Sequence, residues 1–251
     1  MFKGFYNLTS GMYTQQQNLN VVGNNLVNVS TAGYKESRYT ASTFDDVMYS
    51  RVGNMRKVYT DIGRQSYIRA NSAVYVNYDQ GIPEPTGIPL DFAIYGEGFF
   101  AVQNDNGQVT YTRAGSFSLD GEGYLCFPGQ GRVLDPQGEF IRLNTDKIEA
   151  DNKGNIYSAD YGGFLGQIGV YTFEDTEQLE YNDQGMFTGA GAQAMEEPFV
   201  YWKYLERSNV DMVRQMTEML TCQRALQSAA QVTKMYDELM GHSASDVGRM
   251  Q

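Results

Sequence analysis

Few residues of this chain are of the types that carry acid–base, nucleophilic or metal-binding chemistry. The sequence contains one histidine, His242, and two cysteines, Cys126 and Cys222, which stand far apart and outside any CxxC pattern. A catalytic triad would depend on His242, which lies in a polar stretch where nothing would hold it rigidly. These residues cannot build a zinc site or a disulfide framework. We therefore predict no catalytic residue, no metal site and no cofactor.

Two glycine-containing motifs resemble ligand-binding loops but lack the required context. "YGEGFFAV" (95–102) has the Gly-x-Gly of a dinucleotide-binding loop, yet a strand-like run follows where a helix should begin. "DNKGNI" (151–156) is similar to a calcium loop, but Lys153 occupies a ligand position. We predict that both are turns. Paired carboxylates for glycoside chemistry stay open, although most Asp residues lie in Asp/Gly clusters typical of turns.

The charge balance and the hydropathy pattern exclude several partners. A net charge of −11 argues against nucleic acid and against anionic membrane surfaces. No run approaches the roughly 20 apolar residues of a membrane-spanning helix. The first residues also lack the apolar core of a cleavable signal peptide. The protein is therefore expected to be cytoplasmic, or to leave the cell by a route that reads no such signal.

Both ends of the chain carry heptad patterns. Near the start, residues spaced by four and three positions run from Leu8 to Val29, with one glutamine as a polar break, and predict a helix over about residues 2–28. Gly33, which can take a positive φ, then supplies a stop.

Near the other end, the same spacing runs from Met212 to Met240. It predicts a helix that begins after the Ser208-Asn209 pair and ends at Gly241. Three apolar residues widen the stripe in its first half: Val213, Met216 and Leu220.

Between the helices the apolar period falls to two, which is typical of strands. The predicted strands are 57–62, 73–79, 98–103, 108–113 and 167–173. Turn signals separate them, with glycines that recur every 15 or 16 residues: Gly107, Gly123, Gly138 and Gly154. This spacing favours successive hairpins in one antiparallel domain.

The sequence thus predicts an α+β protein, with N- and C-terminal heptad helices paired into one coiled-coil domain and a central antiparallel all-β domain. The expected boundaries are 1–35 with 204–251 for the helical polymerisation domain, 36–72 for an extended connector, and 73–203 for the β domain. A two-helix hairpin with Gln and Asn in its seam is marginal alone. We expect neighbouring copies to order it, while an intramolecular pair packed on the β domain is the alternative.

The asparagines of "NNLVNVSTAGYK" (24–35) interrupt an apolar helix face. In a polymer, their amides could meet partners on a neighbouring copy, which we expect of Asn24 and Asn25. Asn28, with Gly33, could equally just end the helix at the surface. The predicted polymerisation interface comprises Leu8, Met12, Leu19, Val22, Asn24, Asn25, Leu26, Asn28, Val29, Met212, Met219, Cys222, Leu226, Tyr236 and Met240.

Three stretches resemble the flagellar axial proteins, the family of rod, hook and hook-associated subunits. "NLNVVGNNLVNVSTAGYK" (18–35) is similar to the family's N-terminal signature, and "SNVDMVRQMTEMLTCQRALQSAAQVTKMYDELM" (208–240) to its C-terminal helix. "GIPLDFAIYGEGFFAVQ" (87–103) and "YTRAGSFSLDGEGYL" (111–125) resemble the central β segment of rod and hook members. Val27 and Cys222 depart from the family, which tends to have alanine there.

The resemblance implies a structural subunit of the bacterial flagellar basal-body rod that self-assembles into a rigid hollow helical tube and transmits torque. It implies export through the flagellar export apparatus without signal cleavage, with copies of itself and other axial proteins as partners, and with no nucleic acid or membrane insertion. Residues 34–49 favour the distal over the proximal rod protein. A hook or hook-associated subunit is the alternative within the family, and a secreted carbohydrate-binding β protein is the alternative outside it.

Overall fold

The computed structural model describes residues 2–43, 47–52, 59–65, 69–174, 179–182 and 185–249. The chain divides into two compact units. Unit 1 combines Met1–Leu26, Ser37–Tyr75 and Asp211–Gln251, and unit 2 combines Val27–Glu36 and Val76–Val210. The chain therefore passes between the units after residues 26, 36, 75 and 210.

Unit 1 contains the two long helices predicted from the heptad patterns, α1 (Phe2–Val27) and α2 (Met212–Arg249). Asp211 caps α2, because its Oδ1 accepts hydrogen bonds from the N–H groups of Val213 (3.0 Å) and Arg214 (3.3 Å). The predicted end of α2 at Gly241 is wrong. Gly241 is itself helical and residues 242–249 continue the helix, since they contain no proline.

Unit 1 also contains β1 (Ser37–Thr43), β2 (Val47–Val52), β3 (Tyr59–Gln65) and β4 (Arg69–Val76), which ends one residue into unit 2. Strands β2 and β3 form an antiparallel hairpin from Val47↔Gln65 to Val52↔Tyr59, and β1 pairs with β4. The segment expected as a connector thus consists largely of strands. Of the predicted strand 57–62, residues 57 and 58 lie outside the described residues and the rest begin β3.

Unit 2 is built of short strands joined in antiparallel pairs. They are β5 (Pro83–Pro85), β6 (Phe92–Ile94), β7 (Phe99–Gln103), β8 (Val109–Thr112), β9 (Ser118–Leu119), β10 (Leu125–Phe127), β11 (Gly131–Val133), β12 (Ile148–Ala150), β13 (Asn155–Ser158), β14 (Phe164–Gln167), β15 (Val170–Thr172), β16 (Glu180–Tyr181), β17 (Phe187–Thr188), β18 (Gln193–Ala194), β19 (Val200–Trp202) and β20 (Tyr204–Glu206). The largest sheet has the order β16-β17-β8-β7-β11-β10-β9, and β15 joins it through β7 and also pairs with β18. Strands β12, β13 and β14 form a second sheet, while β19 pairs with β6 and β20 with β5.

Strand β7 lies at the centre of unit 2 and is buried on both faces. Because successive side chains point to opposite sides of a strand, Phe100 and Val102 join the main apolar core, whereas Phe99 and Ala101 join a second cluster with Phe187. The α+β class predicted from the sequence is therefore confirmed, with two terminal helices and a central antiparallel β region.

The predicted hairpin turns are confirmed, and five of them share one geometry. In each, a glycine of positive φ donates its N–H to the carbonyl of an Asn or Asp three residues earlier, whose side-chain oxygen caps a following N–H. The pairs are Asn104 and Gly107, Asp120 and Gly123, Asp135 and Gly138, Asp151 and Gly154, and Asn182 and Gly185. The calcium-like loop 151–156 is thus a turn, in which the Asp151 carboxylate serves the backbone.

Candidate assembly site

The residues that could carry chemistry are dispersed. His242 is exposed on α2, and both cysteines are free thiols. Cys222 is buried, which raises the pKa of its thiol, and its Sγ accepts a hydrogen bond from Nδ2 of Asn18 (3.2 Å). Across the described ranges, no group of three His, Cys, Asp or Glu residues could hold a metal ion.

Within unit 1, side chains of α1 contact α2 in antiparallel order. Nδ2 of Asn25 donates to Oε1 of Gln215 (3.3 Å) near the start of α2, and Asn18 contacts Cys222 further along. Close to the other end, a Cβ placed on Gly4 would lie 2.9 Å from the hydroxyl of Tyr236. Polar groups therefore occupy several contact positions between the two helices.

Asn25 shows why an amide lies on this face. Its side chain is buried, its Nδ2 also donates to the carbonyl of Ser37 (2.7 Å), and its Oδ1 accepts from the N–H of Ser37 (3.0 Å). The amide thus bonds both the N–H and the carbonyl of Ser37, as the backbone of a neighbouring strand would. In this chain the hydrogen-bonding groups of Asn25 are used internally, so they do not need the partner on another copy that the sequence analysis expected.

The residues predicted for the polymerisation interface fall into three groups. Val22, Asn25 and Cys222 are buried inside unit 1, whereas Asn24 and Met212 are exposed. The others are half-buried: Leu8, Met12, Leu19, Leu26, Asn28, Val29, Met219, Leu226, Tyr236 and Met240. The α2 stripe therefore faces inward from Gln215 onward, and the half-buried residues keep part of their surface open.

The most exposed apolar residues of α2 lie outside that stripe, in two patches. Val213, Met216 and Leu220 form the first apolar patch, with 74%, 46% and 55% of their surface exposed. Val232, Met235 and Leu239 form the second apolar patch, at 42%, 60% and 65%. The first patch was expected in the packing stripe, and the second was missed, although its residues also step by three and four.

The two apolar patches point in different directions. At about 100° of rotation per residue, the second patch is turned by roughly 100° from the first around the helix axis. The inward-facing stripe lies on the opposite side of the helix from both patches. Two separate apolar surfaces on one helix can contact two different neighbours.

In unit 2, the segments next to the points where the chain passes between the units contact one another. We call the residues that make these contacts the junction cluster: Gly33, Lys35, Glu36, Asn77, Asp79, Gly81, Arg113, Glu206 and Asn209. The predicted positive φ of Gly33 is confirmed at 69°. Its N–H donates to the carbonyl of Glu206 (2.8 Å), and a Cβ at this position would lie 2.2 Å from the backbone nitrogen of Ala114. Only glycine allows this approach.

Glu206 is the centre of the junction cluster. Its Oε1 accepts hydrogen bonds from Nζ of Lys35 (2.6 Å) and from the N–H of Gly81 (2.7 Å), and its Oε2 lies 3.4 Å from Nη1 of Arg113. All three charged side chains are buried, with 4% or less of each exposed. Burial lowers the pKa of Lys35 and of Arg113, and the Glu206 carboxylate opposes that shift in both.

Asn209 completes the junction cluster with a bridging amide. Its Oδ1 accepts from the N–H of Glu36 (2.7 Å), and its Nδ2 donates to the carbonyls of Asn77 and Asp79 (both 2.9 Å). The helix α2 does begin after Ser208 and Asn209, as predicted, but this pair does not cap it, because the amide of Asn209 is used within unit 2. No local signal in the sequence marks this cluster, because Lys35 lies eight residues beyond the end of α1 and its partner Glu206 is far away in the sequence.

Comparison with known proteins agrees with these features. Residues 5–35 match the family "Flagella basal body rod protein", residues 93–160 the "Flagellar hook protein FlgE/F/G D1 domain", and residues 203–245 the "Flagellar basal body rod FlgEFG protein C-terminal". The first and third matches cover most of both helices and four of the nine residues of the junction cluster, and the second covers much of unit 2.

Proteins similar over their whole length are flagellar basal-body rod or hook-basal body proteins. The chain is 31% identical to the flagellar basal-body rod protein FlgG of Bacillus subtilis over 96% of its own length and 97% of the relative. It is 32% identical to FlgG of Agrobacterium fabrum, covering 92% and 94%. The flagellar hook-basal body complex protein FlhO of Bacillus subtilis is 25% identical over the full length of both.

These relatives are structural proteins and not enzymes, and the carbohydrate-binding alternative is set aside. Neither helix has, over its described residues, the length and apolarity needed to cross a membrane. The chain belongs to the family of flagellar basal-body rod proteins and is a structural subunit of rod type.

Proposed function

We propose that this rod subunit self-assembles through surfaces of α1 and α2 into a rigid, hollow helical tube that transmits torque. In this assembly the two helices pair as a coiled coil and, with their copies, form the wall of a central channel. The observation that carries the proposal is the presence of two exposed apolar patches on α2, turned away from each other.

The geometry of the patches fits a helical polymer better than a closed dimer. A two-fold dimer needs one self-complementary patch, whereas a helical filament needs each copy to contact different neighbours through different surfaces. The first and second apolar patches supply two such surfaces. Aromatic and aliphatic side chains on α1 add exposed area that a neighbour would cover: Phe5, Tyr6, Tyr13 and Val27.

The half-buried members of the predicted interface would lie at the edges of these contacts. Fully burying an exposed apolar side chain contributes about 1.5–3 kcal/mol. The six patch residues are 42–74% exposed, so each would contribute roughly half of that when a neighbour covers it. Asn24 stays in the proposed interface, where its amide would help to set the register between copies.

The test places the same charged residue inside and outside a patch. We expect Leu220→Asp to abolish polymerisation of the purified protein, because the carboxylate would have to be buried at a contact. Gln137→Asp is the matched control, since Gln137 is exposed in a turn of unit 2 and lies on neither helix. Sedimentation and negative-stain electron microscopy would measure assembly, and thermal unfolding would check that both variants fold.

If Leu220→Asp assembled at the same protein concentration as wild type, the first apolar patch would not be part of the interface. The same substitution at Met235 examines the second patch independently. Loss of assembly in all three variants, the control included, would indicate that added negative charge alone prevents polymerisation.

The position within the axial structure is a finer proposal. The similarity of residues 34–49 to the distal rod protein favours the distal rod, with the proximal rod as the alternative. We further propose export through the flagellar export apparatus without signal cleavage, and end-to-end contacts with other axial proteins. Straight filaments grown from purified protein would support a rod subunit, while supercoiled filaments would favour a hook-type subunit.

A further inference from the structure

The junction cluster joins the segments of unit 2 through which the chain passes to and from unit 1. These segments are 27–36, 76–81 and 206–210. Within unit 2 they are connected directly to one another: Gly33 and Lys35 bond to Glu206, and Glu36 bonds to Asn77 and Asn209. Any force carried along the backbone between the units therefore enters unit 2 at these residues.

Within unit 2, the bonds between the first and last of these segments are the ones that a pull on the two ends of the chain would load first. The Gly33 N–H to Glu206 carbonyl bond and the Lys35–Glu206 ion pair join residues 27–36 to residues 206–210 without passing through the apolar core. The ion pair is short and buried, so water and salt do not weaken it as they weaken a surface pair. Gly81 and Arg113 hold the same carboxylate from two other directions.

We infer that the junction cluster is a mechanical clamp, with Glu206 as its centre and Lys35 as its principal partner. The clamp carries the force that enters at the two ends of unit 2, and it prevents that force from separating the strands of the β core. Loss of Lys35 would leave the buried Glu206 carboxylate with only the longer contact to Arg113 (3.4 Å) as a cationic partner, so breaking this one pair should release the clamp cooperatively. The inference deepens the proposed function, because a torque-transmitting subunit must carry load between its units.

Single-molecule force spectroscopy on the full chain, held by its two ends at constant force, tests the clamp. We expect Lys35→Met to raise the unfolding rate of unit 2 by about a hundredfold, corresponding to loss of one buried ionic partner. Lys153→Met is the matched control, because Lys153 pairs with Glu197 at 3.5 Å in unit 2 and both side chains are exposed. Its unfolding rate should stay within about twofold of wild type.

Equal unfolding rates for wild type, Lys35→Met and Lys153→Met would overturn the clamp. Should Lys35→Met fail to fold, the wild-type chain alone decides the question. The wild-type chain is then held at Asn106, in an exposed turn of unit 2, and at its C-terminal end. In this geometry the force no longer runs from residues 27–36 to residues 206–210. We expect faster unfolding in this geometry than when the two ends are held, and equal rates would contradict the clamp.

These measurements use single chains and do not depend on assembly. A chain that resists force as expected but never polymerises would refute the proposed function and leave the clamp in place. A chain that polymerises but shows no effect of Lys35→Met or of pulling geometry would refute the clamp alone.

Discussion

At the scale of single residues, Gly33 combines two requirements that only glycine meets. Its φ of 69° lies in the left-handed region, and a Cβ would lie 2.2 Å from Ala114 N and 2.3 Å from the carbonyl carbon of Arg113. The first requirement could be predicted from "TAGYK", because glycine takes a positive φ more readily than any other residue. The second could not, because it depends on a backbone segment far away in sequence.

Replacing glycine by alanine at Gly33 and at Gly87 separates the cost of the positive φ from the cost of the close backbone approach. Gly87 has a similar φ of 74°, but a Cβ added there would have no heavy atom within 4 Å. We expect Gly87→Ala to lower the free energy of unfolding by about 1 kcal/mol, from backbone strain alone. Gly33→Ala should lower it by about 3 kcal/mol, because the backbone of Arg113 and Ala114 must also shift. Urea unfolding measures both, and equal losses would show that the close approach carries no cost.

At the scale of elements, the pairing of α1 with α2 in unit 1 depends on polar contacts as well as apolar ones. Asn25 bonds to Gln215 of α2 and to Ser37 of β1, so one amide joins three elements. We expect Asn25→Ala to destabilise unit 1 by about 1–3 kcal/mol, since the backbone groups of buried Ser37 would lose their partners. Asn20→Ala is the control, because Asn20 is exposed on the same helix.

Hydrogen exchange of the α1 and α2 amides reports this loss locally. Increased exchange in Asn25→Ala, with little change in Asn20→Ala, is the expected result. Unchanged exchange in both variants would show that the amide of Asn25 contributes nothing to the pairing.

The elements themselves were predictable where local signals were strong. The heptad spacing predicted both helices, and alternation with Asp/Gly punctuation predicted β7, β8 and the turns. The capping residue and the end of α2 were not predictable in the same way. Asn209 is a good capping residue by type, but its amide bonds to Glu36 and Asn77, so Asp211 caps the helix instead.

At the scale of the whole molecule, the sequence predicted boundaries at 35/36, 72/73 and 203/204, while the units divide after residues 26, 36, 75 and 210. The difference has a physical reason. Gly33, Lys35 and Asn209 belong to unit 2 through contacts with distant segments, and composition near them carries no sign of those contacts. The spacing of the apolar patches was visible in the sequence, but their exposure was not, because a heptad pattern does not say which face of a helix packs against its own chain.

The account of the whole molecule centres on a polymer built through α1 and α2. A helical reconstruction of filaments grown from the purified chain tests this claim most directly. We expect α1 and α2 to form the wall of a central channel, with the first and second apolar patches of each copy covered by two different neighbours. Filaments in which both patches face solvent, or in which β strands line the channel, would contradict this claim.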